Sequence, residues 1–297
     1  MTQSVFLDAH GFACEIWPQF GANVVRLTHV HNGKTIPLLY TPEVPEPGPN
    51  PSWFGLWPMV PLCNRAFGAK LDTGFTIHDL PINDPAGTNI HGFGWQAAWD
   101  VVAQNHARVV MAHRAVNQGP YSYLARMAVS LEASGVSFDL SLTHEGEEAL
   151  PYGMGFHPWF PANSETRVRL RAAGEVYMAE GFRPQGHGRL RDLHDFSRGR
   201  PAREWSERAI NFTHWDGVAH IDWPDRNISL TVRASPNLCH PVLWSPEKAD
   251  FVCFEPQSHA VGAQTEGLIR AIAPLHMLNP GETMVGSLRL SLSDFTF

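Results

Sequence analysis

The sequence predicts an all-β protein, a large antiparallel sandwich or barrel, and three observations carry that expectation. Apolar side chains alternate with period two in the informative segments. Turn-forming clusters of Gly, Pro, Asn and Asp recur between these segments at intervals of roughly ten residues. No segment sustains the apolar period of an amphipathic helix for as long as a dozen residues. The clearest strand is 136–143, where Val136, Phe138, Leu140 and Leu142 alternate with Ser137, Asp139, Ser141 and Thr143. Met127, Val129 and Leu131 alternate just before it, and 132–135 ends in the Gly that a tight turn wants, so the two runs form a β-hairpin. A second hairpin follows the same logic: Ala219, Ile221 and Trp223 share a face, 224–227 turns, and Ile228, Leu230 and Val232 return. Further strands are expected near 4–8, 12–17, 22–28, 98–103, 107–113, 167–172, 240–244, 251–255 and 283–292.

Two stretches break the rhythm. Residues 41–61 carry Pro42, Pro45, Pro47, Pro49, Pro51, Pro58 and Pro61, and 181–204 is rich in Gly, Arg and Asp. Both are expected as surface loops, since neither offers the apolar surface that offsets the entropy of ordering a chain. No repeat and no compositional shift marks a linker, so residues 1–297 are expected as one domain.

Composition excludes several functional classes. With 43% apolar and 17% charged residues, 25 Gly and 24 Pro, the chain is neither disordered, coiled-coil nor collagen-like. Asp and Glu (29) outnumber Lys and Arg (22), the net charge is −7, and no basic run occurs, which argues against nucleic acid or an anionic membrane surface as partner. Cys14, Cys63, Cys239 and Cys253 lie far apart with no Cys-x-x-Cys pair, so a reducing compartment fits better than a disulfide scaffold or zinc ribbon. Without a basic start followed by an apolar run, a soluble, cytoplasmic protein is expected.

Four clusters combine polar side chains with Gly, Pro and aromatic neighbours: 61–68 around Asn64 and Arg65, 89–95 around His91, 152–160 around His157, and 251–257 around Glu255. Either histidine by itself reads equally as a packed residue hydrogen-bonded to backbone. Glu255 is sharper. Phe251, Cys253 and Glu255 fall on one face of a strand and Val252 and Phe254 on the other, so both sides are apolar and the carboxylate is poorly solvated. Desolvation raises the pKa of an acid toward the range of a general base. The alternative is a buried salt bridge, with Arg65 as its partner. The chain lacks a P-loop, a Gly-x-Gly-x-x-Gly turn after a strand and a Gly-x-Ser-x-Gly elbow. No His-x-His pair lies on a candidate strand, so no metal site is expected.

At these clusters the sequence resembles the aldose 1-epimerase, or galactose mutarotase-like, family over roughly residues 5 to 293. Asn64-Arg65, His91-Gly92, Phe156-His157-Pro158-Trp159-Phe160 and Phe254-Glu255-Pro256 are similar to the family's motifs, in its order and approximate spacing. The resemblance implies a large antiparallel β-sandwich, the galactose mutarotase-like supersandwich, with an open cleft on one sheet. It implies interconversion of the α and β anomers of a free or substituted aldose, without metal or cofactor. Glu255 would be the general base and His157 the general acid, with Arg65, His91, Asn64, Trp159 and Gln257 binding the sugar. One departure stands out. Where similar sequences carry an Asp, this chain has Ala209, and Asp216 or His214 is the candidate substitute. Arg183, Arg189 and Arg191 read either as a solvated loop or as a site for an anionic substituent of the sugar. A silent carbohydrate-binding protein on the same fold, and a metal-dependent sugar isomerase or lyase, are the alternatives. The partner expected is a small sugar, with the chain a monomer or homodimer.

Overall fold

The structure, a computed structural model, describes residues 4–42, 54–202, 208–246 and 249–295. Alternation of apolar and polar side chains produces the expected result, two main antiparallel sheets packed face to face. The smaller has four strands in sequence order, Val5–Ala9, Phe12–Trp17, Asn23–His31 and Lys34–Pro37. The larger runs Asp100–Gln104, Arg108–Gln118, Tyr121–Glu132, Gly135–His144, Thr283–Asp294, Ile228–Ala234, Arg208–Trp223, Val242–Ser245, Phe251–Glu255 and Trp159–Pro161, with Arg167–Met178 also pairing on Arg208–Trp223. Inward residues of the small sheet (Val5, Leu7, Phe12, Cys14, Ile16) and of the large one (Met127, Val129, Phe138, Leu140) share one buried cluster. That interior is what a β-sandwich of this size needs for stability.

Both predicted hairpins form. Glu132 pairs with Gly135 across the first turn and Trp223 with Ile228 across the second, where Asn227 takes the left-handed conformation Asn tolerates (φ 54°). Gly135 is required for a further reason: a Cβ there would stand 2.1 Å from the carbonyl oxygen of Leu290 on the neighbouring strand. The 16-residue strand Arg208–Trp223 changes partners along its length. Residues 208–211 pair with Val242–Ser245, and 218–223 pair with Ile228–Ala234. Between them His214 and Gly217 both adopt positive φ (55° and 86°), and the pairing with Arg167–Met178 slips between Leu170 and Ala172. The irregularity bends the strand, so its first half lies beside the strands that carry the site.

Both expected loops need correction. Residues 43–53 of the first and 203–204 of the second lie outside the described residues, but 54–61 is buried: Leu56, Met59 and Val60 are fully enclosed, and Pro58–Met59 pairs with Gly155–Phe156. Proline tolerates such a short, irregular pairing because its carbonyl still accepts. In 181–204, Pro184–Arg189 pairs with Arg167–Met178. Beside it, the buried carboxylate of Glu175 takes hydrogen bonds from Arg191 and His194, which satisfies a charge that would otherwise destabilise the strand. All four cysteines are free.

Candidate active site

A cleft of about 250 Å³ opens over the strands Phe251–Glu255, Val242–Ser245 and the start of Arg208–Trp223. Its floor is dictated by strand alternation. Val252 and Phe254 belong to the main core, which turns Cys253 and Glu255 to the opposite face. Register sets Ala209 opposite Trp244, Trp244 opposite Cys253, and Cys253 opposite Trp159, while Val242 faces Glu255.

His157 reaches this floor between Gly155–Phe156 and Trp159–Pro161. Its N–H donates to the carbonyl of Trp57 (3.0 Å), and the Phe156 N–H donates to that of Pro256 (3.0 Å), so the histidine is clamped between two neighbouring segments. Gly155 permits that approach, because a Cβ there would lie 2.6 Å from the Pro256 carbonyl oxygen. The imidazole is stacked between Trp57 (centroids 4.3 Å apart) and Trp159 (5.5 Å). Its Nε2 stands 3.3 Å from Glu255 Oε1, with both side chains buried.

Burial acts on the two groups in opposite directions. It pushes the Glu255 carboxyl up to about 8, with Arg65 pulling weakly the other way, and holds the His157 imidazolium down at about 3. The two therefore carry one proton between them near neutral pH, a property of the pair rather than of either residue.

His91 and Asn64 stand beside the pair, both with positive φ (57° and 54°). The Asn64 N–H donates to His91 Nδ1 (3.1 Å), and the His91 N–H donates back to the Asn64 carbonyl (3.0 Å). His91 is held neutral by burial and by the nearby His157 and Arg65. With Nδ1 accepting, the proton sits on Nε2, so this histidine is a donor. Arg65 lies over the Phe182 ring (5.3 Å to its centroid), and its Nε is 3.4 Å from Asp84 Oδ2. That pairing corrects one expectation: the partner of Arg65 is Asp84, and the contact of Glu255 is His157.

Of the residues singled out in the sequence, Glu255, His157, Arg65, His91, Asn64 and Trp159 line this one cleft. Gln257 and Asp216 do not. Gln257 is fully buried behind the floor, its Nε2 donating to the His259 carbonyl (2.9 Å), because a residue two beyond Glu255 has left the strand. Asp216 is exposed at the bend of its strand and accepts from the Val218 N–H (3.1 Å), a turn-closing role. Ala209, at the position where similar sequences carry Asp, is on the wall. Arg183, Arg189 and Arg191 are not: Arg183 stacks on Phe67 and pairs with Glu266, and Arg191 holds Glu175. Sequence reasoning missed Asp84, which also accepts from Thr88 Oγ1 (2.8 Å), and the indoles of Trp57, Trp95 and Trp244. Asn83-Asp84-Pro85 carries only the signature of a turn. Among the described residues one group brings three possible metal-donor atoms within 4.8 Å of each other: His157, Cys253 and Glu255.

The fold, a large antiparallel β-sandwich with a carboxyl and an imidazole in contact in an open, aromatic-walled cleft, is that of galactose mutarotase-like proteins. The chain belongs to the aldose 1-epimerase family, whose profile it matches over residues 4–291. It is 30% identical over 220 residues to the uncharacterized protein YphB of Escherichia coli (strain K12), a match covering 69% of this chain and 73% of that one. A galactose mutarotase-like protein from Clostridium acetobutylicum superposes with a TM-score of 0.87 at 20% identity, over 98% of this chain and 95% of the other. A GalM/aldose epimerase homologue from C. elegans gives 0.83 at 16% identity, over 99% and 100%. At these identities the structural likeness speaks for the fold.

Proposed function

We propose that the protein is an aldose 1-epimerase that opens and recloses the ring of a small free aldose by general acid–base catalysis. The observation that carries this reading is the His157 Nε2–Glu255 Oε1 contact of 3.3 Å, buried at the base of a cleft with room for a small ligand. Ring opening removes the proton of the anomeric hydroxyl and delivers one to the ring oxygen as the C1–ring-oxygen bond breaks. The products are the open aldehyde and a hydroxyl, with no net gain or loss of protons. A pair that holds one proton between two groups suits this demand, since one partner is ready to accept while the other is ready to give. In this reading the reactive form is the one with the shared proton transferred from Glu255 to His157: Glu255 then takes the anomeric proton and His157 delivers its proton to the ring oxygen. Rotation about the C1–C2 bond turns the other aldehyde face toward the hydroxyl, and the reverse transfers close the opposite anomer.

The other residues act by position. His91 donates from Nε2 to the ring oxygen or a neighbouring hydroxyl, and Asn64 fixes that tautomer through its backbone N–H. Arg65, oriented by Asp84, offers its remaining guanidinium donors to sugar hydroxyls. Trp159 and Trp57 exclude water from the imidazole and present apolar faces to the C–H side of a sugar. Ala209 removes one acceptor from the wall, and Asp84 supplies one elsewhere in the lining, so a preference differing from that of Asp-bearing relatives follows. Polarimetry or exchange NMR on freshly dissolved single anomers tests the reading. Accelerated mutarotation of at least one aldose is expected, whereas binding without acceleration across the panel would identify a carbohydrate-binding protein.

A further inference from the structure

Cys253 is a buried side chain that the proposed acid–base chemistry leaves unused. It precedes Glu255 by two on the same strand, so both side chains project from one face. Its Sγ lies within 4.8 Å of the nearest donor atoms of both His157 and Glu255, and all three residues are buried. Of the Glu255 carboxylate, Oε1 meets His157, while Oε2 is buried with no hydrogen-bond partner. An unpartnered buried oxygen beside a thiol and an imidazole leaves a coordination set open rather than closed.

The separations suit a tetrahedral ion. With metal–nitrogen and metal–oxygen bonds of about 2.0 to 2.1 Å and a metal–sulfur bond of about 2.3 Å, the edges of such a tetrahedron are about 3.3 Å for N···O and about 3.6 Å for pairs including sulfur. The observed N···O separation is 3.3 Å, and the pairs that include sulfur lie within 4.8 Å. Thiolate, neutral imidazole and carboxylate together select Zn²⁺ over Mg²⁺ or Ca²⁺, which take oxygen sets. His157 and Glu255 line the cleft, so an ion there has three protein ligands and a fourth position facing the space where the sugar binds.

We propose that His157, Cys253 and Glu255 form a Zn²⁺ site whose occupation switches the cleft off. This rests on the acid–base reading, because the ion takes the same two groups that would transfer protons. Binding is balanced by the release of the Cys253 thiol proton and of the carboxyl proton to solvent. The bound site then carries no net charge, and affinity rises with pH. Zinc and sugar compete for one floor.

The test is a titration of the full chain with Co²⁺ as spectroscopic probe and with Zn²⁺ against a chromophoric chelator. One Co²⁺ per chain with a thiolate-to-metal charge-transfer band is expected. Cys253→Ser should abolish that band and weaken Zn²⁺ by at least about tenfold, since a lost ligand costs no less than a lost supporting contact. In wild type, Zn²⁺ should raise the apparent KM and chelator should restore it. Cobalt binding without a thiolate band, or Zn²⁺ affinity unchanged in both Cys253→Ser and Glu255→Gln, places any metal elsewhere among the 16 histidines and overturns the proposal. The two readings fail separately: a thiolate-bound metal on a chain that epimerises no sugar sinks the enzymatic reading alone, and turnover untouched by Zn²⁺ sinks the metal site alone. If Cys253→Ser does not fold, by circular dichroism, the wild-type charge-transfer band and the Glu255→Gln titration decide.

Discussion

Replacing Glu255 by Gln should remove activity and stabilise the fold, and the second effect can be sized from the structure. Burial lifts this carboxyl from an ordinary 4.5 to about 8. Between those values the folded chain keeps a proton that the unfolded chain has already released, so the stability associated with this group is fully present below 4.5 and is lost as pH rises through 8. At pH 7 the interval is about two and a half pH units at about 1.4 kcal/mol each, so wild type gives up about 3 kcal/mol, rising to about 5 kcal/mol above pH 8. The side chain is 3% exposed, so solvent screening does not reduce the figure. Gln is isosteric and has no such proton to lose. For a chain of this length about 3 kcal/mol corresponds to a gain in Tm of about 5 °C at pH 7. Thermal unfolding of wild type and Glu255→Gln, followed by circular dichroism at pH 4.5, 7 and 8.5, reads this directly. The two curves should coincide at pH 4.5 and separate as pH rises. A variant that is less stable than wild type at pH 8.5 would refute the reasoning, because it would mean that Glu255 is held as a stabilised carboxylate.

The same pair predicts a pH profile. One proton resides on it between about 3 and about 8, so kcat/KM should be level across the accessible part of that window and fall about tenfold per unit above 8. Stopped-flow polarimetry would show it, and a rate still climbing from pH 8 to 9.5 would contradict it. His157→Asn should lower kcat by about 100- to 10,000-fold with the far-UV spectrum unchanged; near-normal turnover would remove His157 from the chemistry. Arg65→Ala should act on KM, by the about 1 to 3 kcal/mol of a charge-assisted hydrogen bond, and Asp84→Asn should shift KM in the same direction by less. A fall in kcat alone in either variant would assign these two residues a different role.

The strands of this fold are legible because each carries its own alternation: Val136, Phe138, Leu140 and Leu142 are all buried, as the pattern at 136–143 requires. The desolvation of Glu255 is legible for the same reason, since Val252 and Phe254 must point into the core. What alternation cannot give is the neighbour across a strand order in which residues 159–161 lie beside 251–253. The pairing of Arg65 with Asp84 was therefore hidden, as was the burial of 54–61, where seven prolines between 42 and 61 mask a segment that packs on Gly155–Phe156. Buried Glu175 was hidden as well, because its partners, Arg191 and His194, come from a stretch with no apolar pattern of its own.

Why should a fold spend stability on a buried acid at all? A carboxylate in water would be ionised at neutral pH and matched to its medium, with its proton affinity set near the ordinary 4.5. Such a group is a weak base toward a sugar hydroxyl. Enclosed by Val242, Cys253 and the stacked rings of Trp57, His157 and Trp159, the carboxylate gains proton affinity, while the imidazole loses it and becomes a stronger acid once protonated. In the proposed reaction the same enclosure sharpens both proton transfers. It also draws the two groups to 3.3 Å, where they hold their single proton between them until a ligand separates them. Destabilisation of the empty cleft and the proposed reactivity toward a bound ring then share one origin in this floor, and a substitution that relieves the first should forfeit the second.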